Sequence, residues 1–295
     1  MIKRKITSEL IYLLKVMLVL AIWNVVVFFA SQILGGLLAD REAEMLLNKE
    51  TISKAALELV GMQQLQQFPA SVEVFFLSSL ISNVVLLGSI VLHSVKMMRK
   101  SIGQGSFGFL FMQVVKKHCY FTSEAIRVFA VAVLTWGAYM AMMFLNGSFI
   151  LKTLEVDVAE KVYDILWTMS LWGAGIVFLL VAVSVLYGIS QSGNMHELDF
   201  SIVVMSVPFI LGNLYKVPQY IGQLQVEAMI TAQGTMKIVQ MMKQFHFFCP
   251  FAWLNPFNIF NHVTEGGMIW CYVGVAALFF VVAGLIFCKR DWWEV

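Results

Sequence analysis

Long apolar segments dominate this chain, and polar residues cluster in the stretches between them. Crossing the hydrocarbon core of a bilayer takes about 20 mostly apolar helical residues. Segments of that kind occur six times, over residues 14–37, 74–96, 127–147, 165–189, 200–222 and 267–288. The pattern predicts an all-α fold, a polytopic membrane protein with six transmembrane helices that form a single domain over 1–295.

The fifth apolar segment differs from the others because it contains Pro208, Gly212 and Asn213. Proline and glycine free backbone groups that a neighbouring helix must satisfy in lipid. We therefore expect this span to be bent and packed inside the bundle.

Two of the connecting segments also repeat apolar residues at helical spacing. These are residues 40–68 and residues 219–248, and such spacing is typical of amphipathic helices. We expect both to form small extracellular helical segments.

Composition agrees with a membrane protein. Hydrophobic residues make up 60% of the chain and charged residues 13%, whereas soluble domains carry about 25% charged residues. The lipid bilayer is therefore the expected surrounding. A net charge of +2, without basic runs interleaved with aromatic residues, gives no reason to expect nucleic acid as a partner.

Orientation follows from the basic residues, which favour the cytoplasmic side of a membrane. Lys3, Arg4 and Lys5 precede the first segment, and further basic residues cluster in the connection 97–126 and after the last segment. The connection 38–73 is rich in acidic residues instead. We predict a multi-pass protein of the cell (plasma) membrane with both termini in the cytoplasm. The first segment is too long for the core of a signal peptide, so we interpret it as a retained span.

Catalytic motifs are missing from the sequence. His196-Glu197 does not continue to the H-E-x-x-H zinc pattern, and neither G-x-S-x-G nor a phosphate-binding P-loop occurs. The letters of Gly103–Gly108 fit G-x-G-x-x-G, but an apolar span precedes them instead of the strand that a dinucleotide fold needs. The sequence predicts no enzyme, and no catalytic residue, cofactor site or metal site in this chain.

The apolar segments are nearly free of ionisable side chains. Asn24, Asn83 and Asn213 stand there, and Pro208 interrupts the fifth segment. Interhelical hydrogen bonding accounts for such amides as well as a transport pathway does. Both alternatives stay open for these four residues.

The connection 97–126 combines basic ends with a strongly apolar centre. An apolar patch in the cytoplasm needs a cover, which a lipid surface or a groove on a partner protein could provide. The candidate residues for partner binding are Phe107, Phe109, Leu110, Phe111, Met112, Val115, Lys116 and Lys117.

Residues 99–117 resemble the connection between the second and third spans of type-2 ABC transporter permeases, with a basic residue, a glycine-containing turn, an apolar stretch and Lys116-Lys117. Residues 251–258, with Asn255-Pro256-Phe257, resemble the re-entry before that family's last span. The end of the chain, Cys288-Lys289-Arg290-Asp291, is similar to the family's tail. Gln113 stands where proline is common in the family, and Glu124 where lysine is common.

The resemblance implies a six-span permease subunit of an ATP-driven transporter, of which export is the commoner mode. It implies a second permease as partner, identical or different, and separate ABC ATP-binding subunits that dock on the segment 97–126, the coupling loop. ATP and Mg would then bind in the partner subunit. The alternatives are a non-transporting assembly, immunity or sensor subunit, and an intramembrane enzyme.

Overall fold

The computed structural model describes residues 10–30, 70–103, 116–151, 156–190, 196–214, 254, 259 and 268–289. Within those ranges the regular secondary structure is α-helical, and no strand occurs. The two predicted extracellular segments, 40–68 and 219–248, lie outside the described residues.

Six long helices make up almost all of the described chain. In chain order they are α1 Leu10–Ala30, α2 Ala70–Gly103, α3 Lys117–Leu151, α4 Val156–Ser190, α5 Glu197–Leu214 and α6 Met268–Lys289.

Five of these helices, all except α5, are long and apolar enough within the described residues to cross a membrane. The all-helical prediction is therefore confirmed for the described chain, together with five apolar helices of spanning length. α5 carries Glu197 and Asp199 in its first turn, which shortens its apolar part. Residues 215–222 of the fifth predicted span lie outside the description, as do residues 31–37 of the first.

The central helices continue beyond the predicted spans. α2, α3 and α4 contain 34, 35 and 35 residues, which at 1.5 Å per residue gives about 50 Å against about 30 Å of hydrocarbon. The predicted coupling loop 97–126 is therefore helical in both of its described parts, up to Gly103 and from Lys117 onwards. Charged residues mark the end of an apolar segment, but they do not by themselves end a helix.

Contacts between helix ends fix the directions of the helices. Ser101 near the end of α2 hydrogen-bonds Glu124 near the start of α3, and Arg99 pairs with Glu197 at the start of α5. At the same end, α3 meets the last turn of α6 through the Phe121–Phe287 ring contact. Tyr187 near the end of α4 stacks on Phe200 near the start of α5, so α2, α4 and α6 all end where α3 and α5 begin.

We call this end the basic end of the bundle because most of its charged residues are Lys or Arg. The described ones are Lys96, Arg99, Lys100, Lys116, Lys117, Arg127 and Lys289, with Glu124, Glu197 and Asp199 as the acidic members. At the opposite end, the exposed first turns of α4 carry Asp157, Glu160, Lys161 and Asp164. The orientation of these two ends in the membrane stays a prediction from the sequence.

α2 and α4 form the centre of the bundle. In their apolar segments 67% and 61% of the residues are buried, against 33% in α1 and 22% in α6. α4 packs against α2, α3 and α6, and α5 packs against α2. The outward faces of α1 and α6 are apolar and exposed, as expected of surfaces that meet lipid.

Glycines in α4 allow close approach of its neighbours. A Cβ at Gly173 would overlap the ring of Trp136 in α3, and a Cβ at Gly188 would lie 2.8 Å from the Cβ of Met98 in α2. The Trp136 indole N–H donates to the carbonyl of Ser170, 3.2 Å away, and thereby holds the ring against α4. Small residues of this kind are common where membrane helices pack closely.

Candidate functional site

The buried polar cluster between α1, α2 and α3 is centred on Asn24. The hydroxyls of Ser78 and Ser82 both donate to the Asn24 side-chain oxygen. The Asn24 amide nitrogen lies 3.5 Å from the Tyr139 hydroxyl oxygen and 3.5 Å from the Met143 sulfur, as donor to both. Asn24 is fully buried, so helices from three parts of the chain meet on one amide.

This geometry favours the packing alternative for Asn24. Its acceptor oxygen and its donor nitrogen both have partners, and a buried amide with its partners in place stabilises the contact between membrane helices. A second side-chain amide joins α1 and α3, because Asn146 in α3 donates a hydrogen bond to the carbonyl of Ala21, 3.4 Å away.

Asn83 on α2 is different. Its side chain is 1% exposed, and neither the nitrogen nor the oxygen of its amide has a hydrogen-bond partner among the described residues. Leaving a polar group buried and unpaired costs about 1–3 kcal/mol. Among the polar groups in the described spans, Asn83 is therefore the one whose burial is least explained by helix packing. It remains a candidate for a pathway residue.

The helical period locates Asn83 on the bundle. Asn83 precedes Ser101 by five turns of about 3.6 residues, so both stand on the same face of α2. Ser101 contacts Glu124 and Arg127 of α3. Asn83 therefore lies on the face of α2 that carries Ser101, five turns farther from the basic end.

Pro208 and Asn213 both lie within α5, and their side chains are not among those described. α5 is held to α2 by Ser201, whose hydroxyl donates to the carbonyl of Gly88 at 2.8 Å. The structure thus brings Asn24 of α1 and Asn83 of α2 into one bundle.

A network of three polar side chains joins α2 to α3 at the basic end. Arg127 forms an ion pair with Glu124, the Ser101 hydroxyl donates to the Glu124 carboxylate at 2.9 Å, and Arg127 donates to the Ser101 oxygen at 2.9 Å. The Tyr120 hydroxyl adds a bond to the Ser101 carbonyl at 3.3 Å. The side chains of Arg127 and Glu124 are 16% and 17% exposed, so water screens this pair only partly.

A second network joins α2, α4 and α5 at the same end. Arg99 lies 3.4 Å from the Glu197 carboxylate, and its guanidinium stands 5.0 Å from the centroid of the Tyr187 ring. Tyr187 in turn stacks on Phe200 with ring centroids 3.7 Å apart. Four helix ends are therefore fastened to one another next to residues 104–115.

The predicted partner-binding residues fall largely outside the description. Phe107, Phe109, Leu110, Phe111, Met112 and Val115 belong to the segment 104–115, which is not described. Lys116 is exposed and immediately precedes α3, and Lys117 is the first residue of that helix.

The sequence contained a signal for one of these networks but not for the other. Glu124 and Arg127 are three residues apart, and residues at that spacing are neighbours on a helix. Arg99 and Glu197 are far apart in sequence, and so are Asn24 and Tyr139. Nothing local in the chain links these pairs.

Among the described residues, no group of three or more His, Cys, Asp or Glu side chains is arranged to hold a metal ion. The sequence matches no family model, no curated protein and no solved structure. The bundle and its polar clusters are therefore the basis on which function is inferred.

Proposed function

We propose that this chain is the membrane-spanning permease subunit of an ATP-driven ABC transporter, an exporter that works with a second permease. Separate ATP-binding subunits, which hold ATP and Mg, dock on the segment between α2 and α3. The chain itself hydrolyses nothing. It lies in the cell membrane with the basic end and both termini in the cytoplasm.

One observation carries this proposal. The apolar segment 104–115 is flanked by the ends of α2 and α3, and these ends are tied together by Ser101, Glu124 and Arg127. A force applied to the segment therefore acts on two long helices at once. Through Arg99 and Glu197 it also reaches α5. A coupling element needs such connections, since a segment on flexible ends would move without the bundle.

The departure at Glu124 fits this role. The permease family commonly has lysine there, whereas here the carboxylate accepts from Ser101 and pairs with Arg127. The acidic residue is thus part of the connection between α2 and α3.

Co-purification tests the proposal. In mild detergent the chain should co-isolate a P-loop ATPase. Phe109→Glu or Phe111→Glu should lower the amount of co-isolated ATPase at least about ten-fold, because each puts a charge into an apolar contact and desolvating that charge costs a few kcal/mol. Gln113→Glu is the matched control, since it adds the same charge to the same segment without removing an apolar side chain. A chain that never co-isolates an ATPase contradicts the proposal and favours an assembly or sensor subunit.

A further inference from the structure

A groove runs between α3, α4 and α6 on the outer surface of the bundle, at the basic end. Its volume is about 530 Å³, within the range of about 300–1,000 Å³ that is usual for ligand sites. Its lining is almost wholly apolar and includes Phe121, Ile126, Phe129, Phe178, Val281 and Leu285.

The floor of this groove is closed and its rim is open. Phe121, the buried aromatic residue of the lining, forms the floor, and Phe129 and Phe178 pack against each other with ring centroids 3.9 Å apart. Gly284 brings α6 close to α3, since a Cβ there would lie 3.1 Å from the Phe121 ring. At the rim, Ile126 is 61% exposed and Val281 62% exposed. An occupant can therefore enter from the side, out of the lipid phase.

Polar groups occur at one end of the groove. His118 and Cys288 line that end. The exposed Lys116 lies two residues before His118, and the exposed Lys289 directly follows Cys288. α3 also begins here, at Lys117, and the positive end of its helix dipole favours a negative charge. The groove is thus apolar along most of its length. We call its end with these basic residues the positive mouth.

We propose that this groove binds an anionic phospholipid from the leaflet at the basic end. One acyl chain lies along the aromatic floor, and the phosphate sits at the start of α3 beside Lys116, His118 and Lys289. Basic pockets between spanning helices are known to hold anionic headgroups. A helix from a second copy fits less well, because it is about 10–12 Å wide and would leave the positive mouth without a counter-charge. The inference needs only spanning helices and does not rest on the permease proposal.

Lipid retention tests this inference. The full chain is reconstituted in vesicles of phosphatidylglycerol and phosphatidylcholine with identical acyl chains, extracted in mild detergent, and analysed for bound lipid by native mass spectrometry. We expect one retained phosphatidylglycerol in preference to phosphatidylcholine. Ile126→Trp, which fills the groove, should lower retention at least ten-fold. The matched control Leu134→Trp lies on the same helix, is also 61% exposed and is not part of the groove, so it should retain the lipid.

A second pair on α6 repeats the test if Ile126→Trp fails to fold. Val281→Trp fills the groove from the other side, and Leu278→Trp, 61% exposed and outside the groove, is its control. Lys116→Glu with Lys289→Glu should abolish the preference for phosphatidylglycerol while leaving retention of phosphatidylcholine unchanged. Equal retention of the two lipids by all variants would mean surrounding lipid only and would overturn the inference. Loss of a dimer in Ile126→Trp without any change in lipid would overturn it in favour of a second copy.

Discussion

At the scale of single residues, two buried asparagines on neighbouring helices have opposite surroundings. Asn24 gathers two serine hydroxyls, a tyrosine and a methionine sulfur around its amide. Asn83 is equally buried but has no hydrogen bond from either amide atom within the described chain. Removing the amide of a residue that serves packing should lower the stability of the protein. Removing the amide of a residue that serves a pathway should not.

Replacement by leucine, which has a similar volume, should separate the two asparagines. Asn24→Leu should lower the free energy of unfolding by about 1–2 kcal/mol, because Ser78, Ser82 and Tyr139 lose their shared partner. Asn83→Leu should leave it unchanged or raise it, since a buried unpaired amide is replaced by an apolar group. Denaturant titration in mild detergent measures both values. Equal destabilisation by the two substitutions would contradict the distinction.

The fit of α3 on α4 makes a prediction at the scale of elements. Gly173→Ala should destabilise the bundle by about 1–3 kcal/mol, because its methyl group overlaps the Trp136 ring and overpacking of this kind is costly. Gly137→Ala on α3 is the matched control, as a Cβ there meets nothing within 4 Å. Thermal unfolding of the two variants side by side measures the difference. A Gly173→Ala protein as stable as Gly137→Ala would show that Trp136 does not pack as described.

The connection of α2 to α3 makes a second prediction at this scale. Ser101→Ala removes the hydroxyl that bridges Glu124 and Arg127, so amide hydrogen exchange near the end of α2 and the start of α3 should become faster. The free energy of local opening at these helix ends should fall by about 0.5–1.5 kcal/mol, the usual net contribution of a hydrogen bond. Ser148→Ala is the control, because its exposed hydroxyl donates to the Leu145 carbonyl of its own helix. Unchanged exchange at the basic end in Ser101→Ala would contradict a tie between the two helices.

Much of the fold could be predicted because hydropathy is a local property of the sequence. Apolar segments near 74–96, 127–147 and 165–189 each fall inside a long helix of the structure. The helix ends could not be predicted, since α2 continues through Lys96–Gly103, where polar and apolar residues are mixed. The difference between Asn24 and Asn83 was also out of reach, because it depends on which side chains other helices bring to each amide.

At the scale of the whole molecule, charge asymmetry predicts how the bundle sits in the membrane. A membrane-impermeant maleimide should label Asp157→Cys from outside intact cells, in a chain whose own cysteines are replaced. A chain that retains only Cys119, exposed at the basic end, should react only after the cells are permeabilised. The reverse pattern would place the basic end outside and contradict the predicted orientation.

Within the described residues no side-chain group is arranged to hold a metal ion, and the ends of α2, α3, α4 and α5 are joined at the basic end. We therefore propose, as the central claim, that a partner protein drives motion of the bundle from this end. A photoreactive amino acid at Lys116, next to the segment 104–115, tests it most directly in intact cells, with the same probe at Asp157 as the control at the opposite end. We predict a crosslink to a P-loop ATPase from Lys116 and none from Asp157. No ATPase at Lys116, or equal capture at both positions, would contradict the claim.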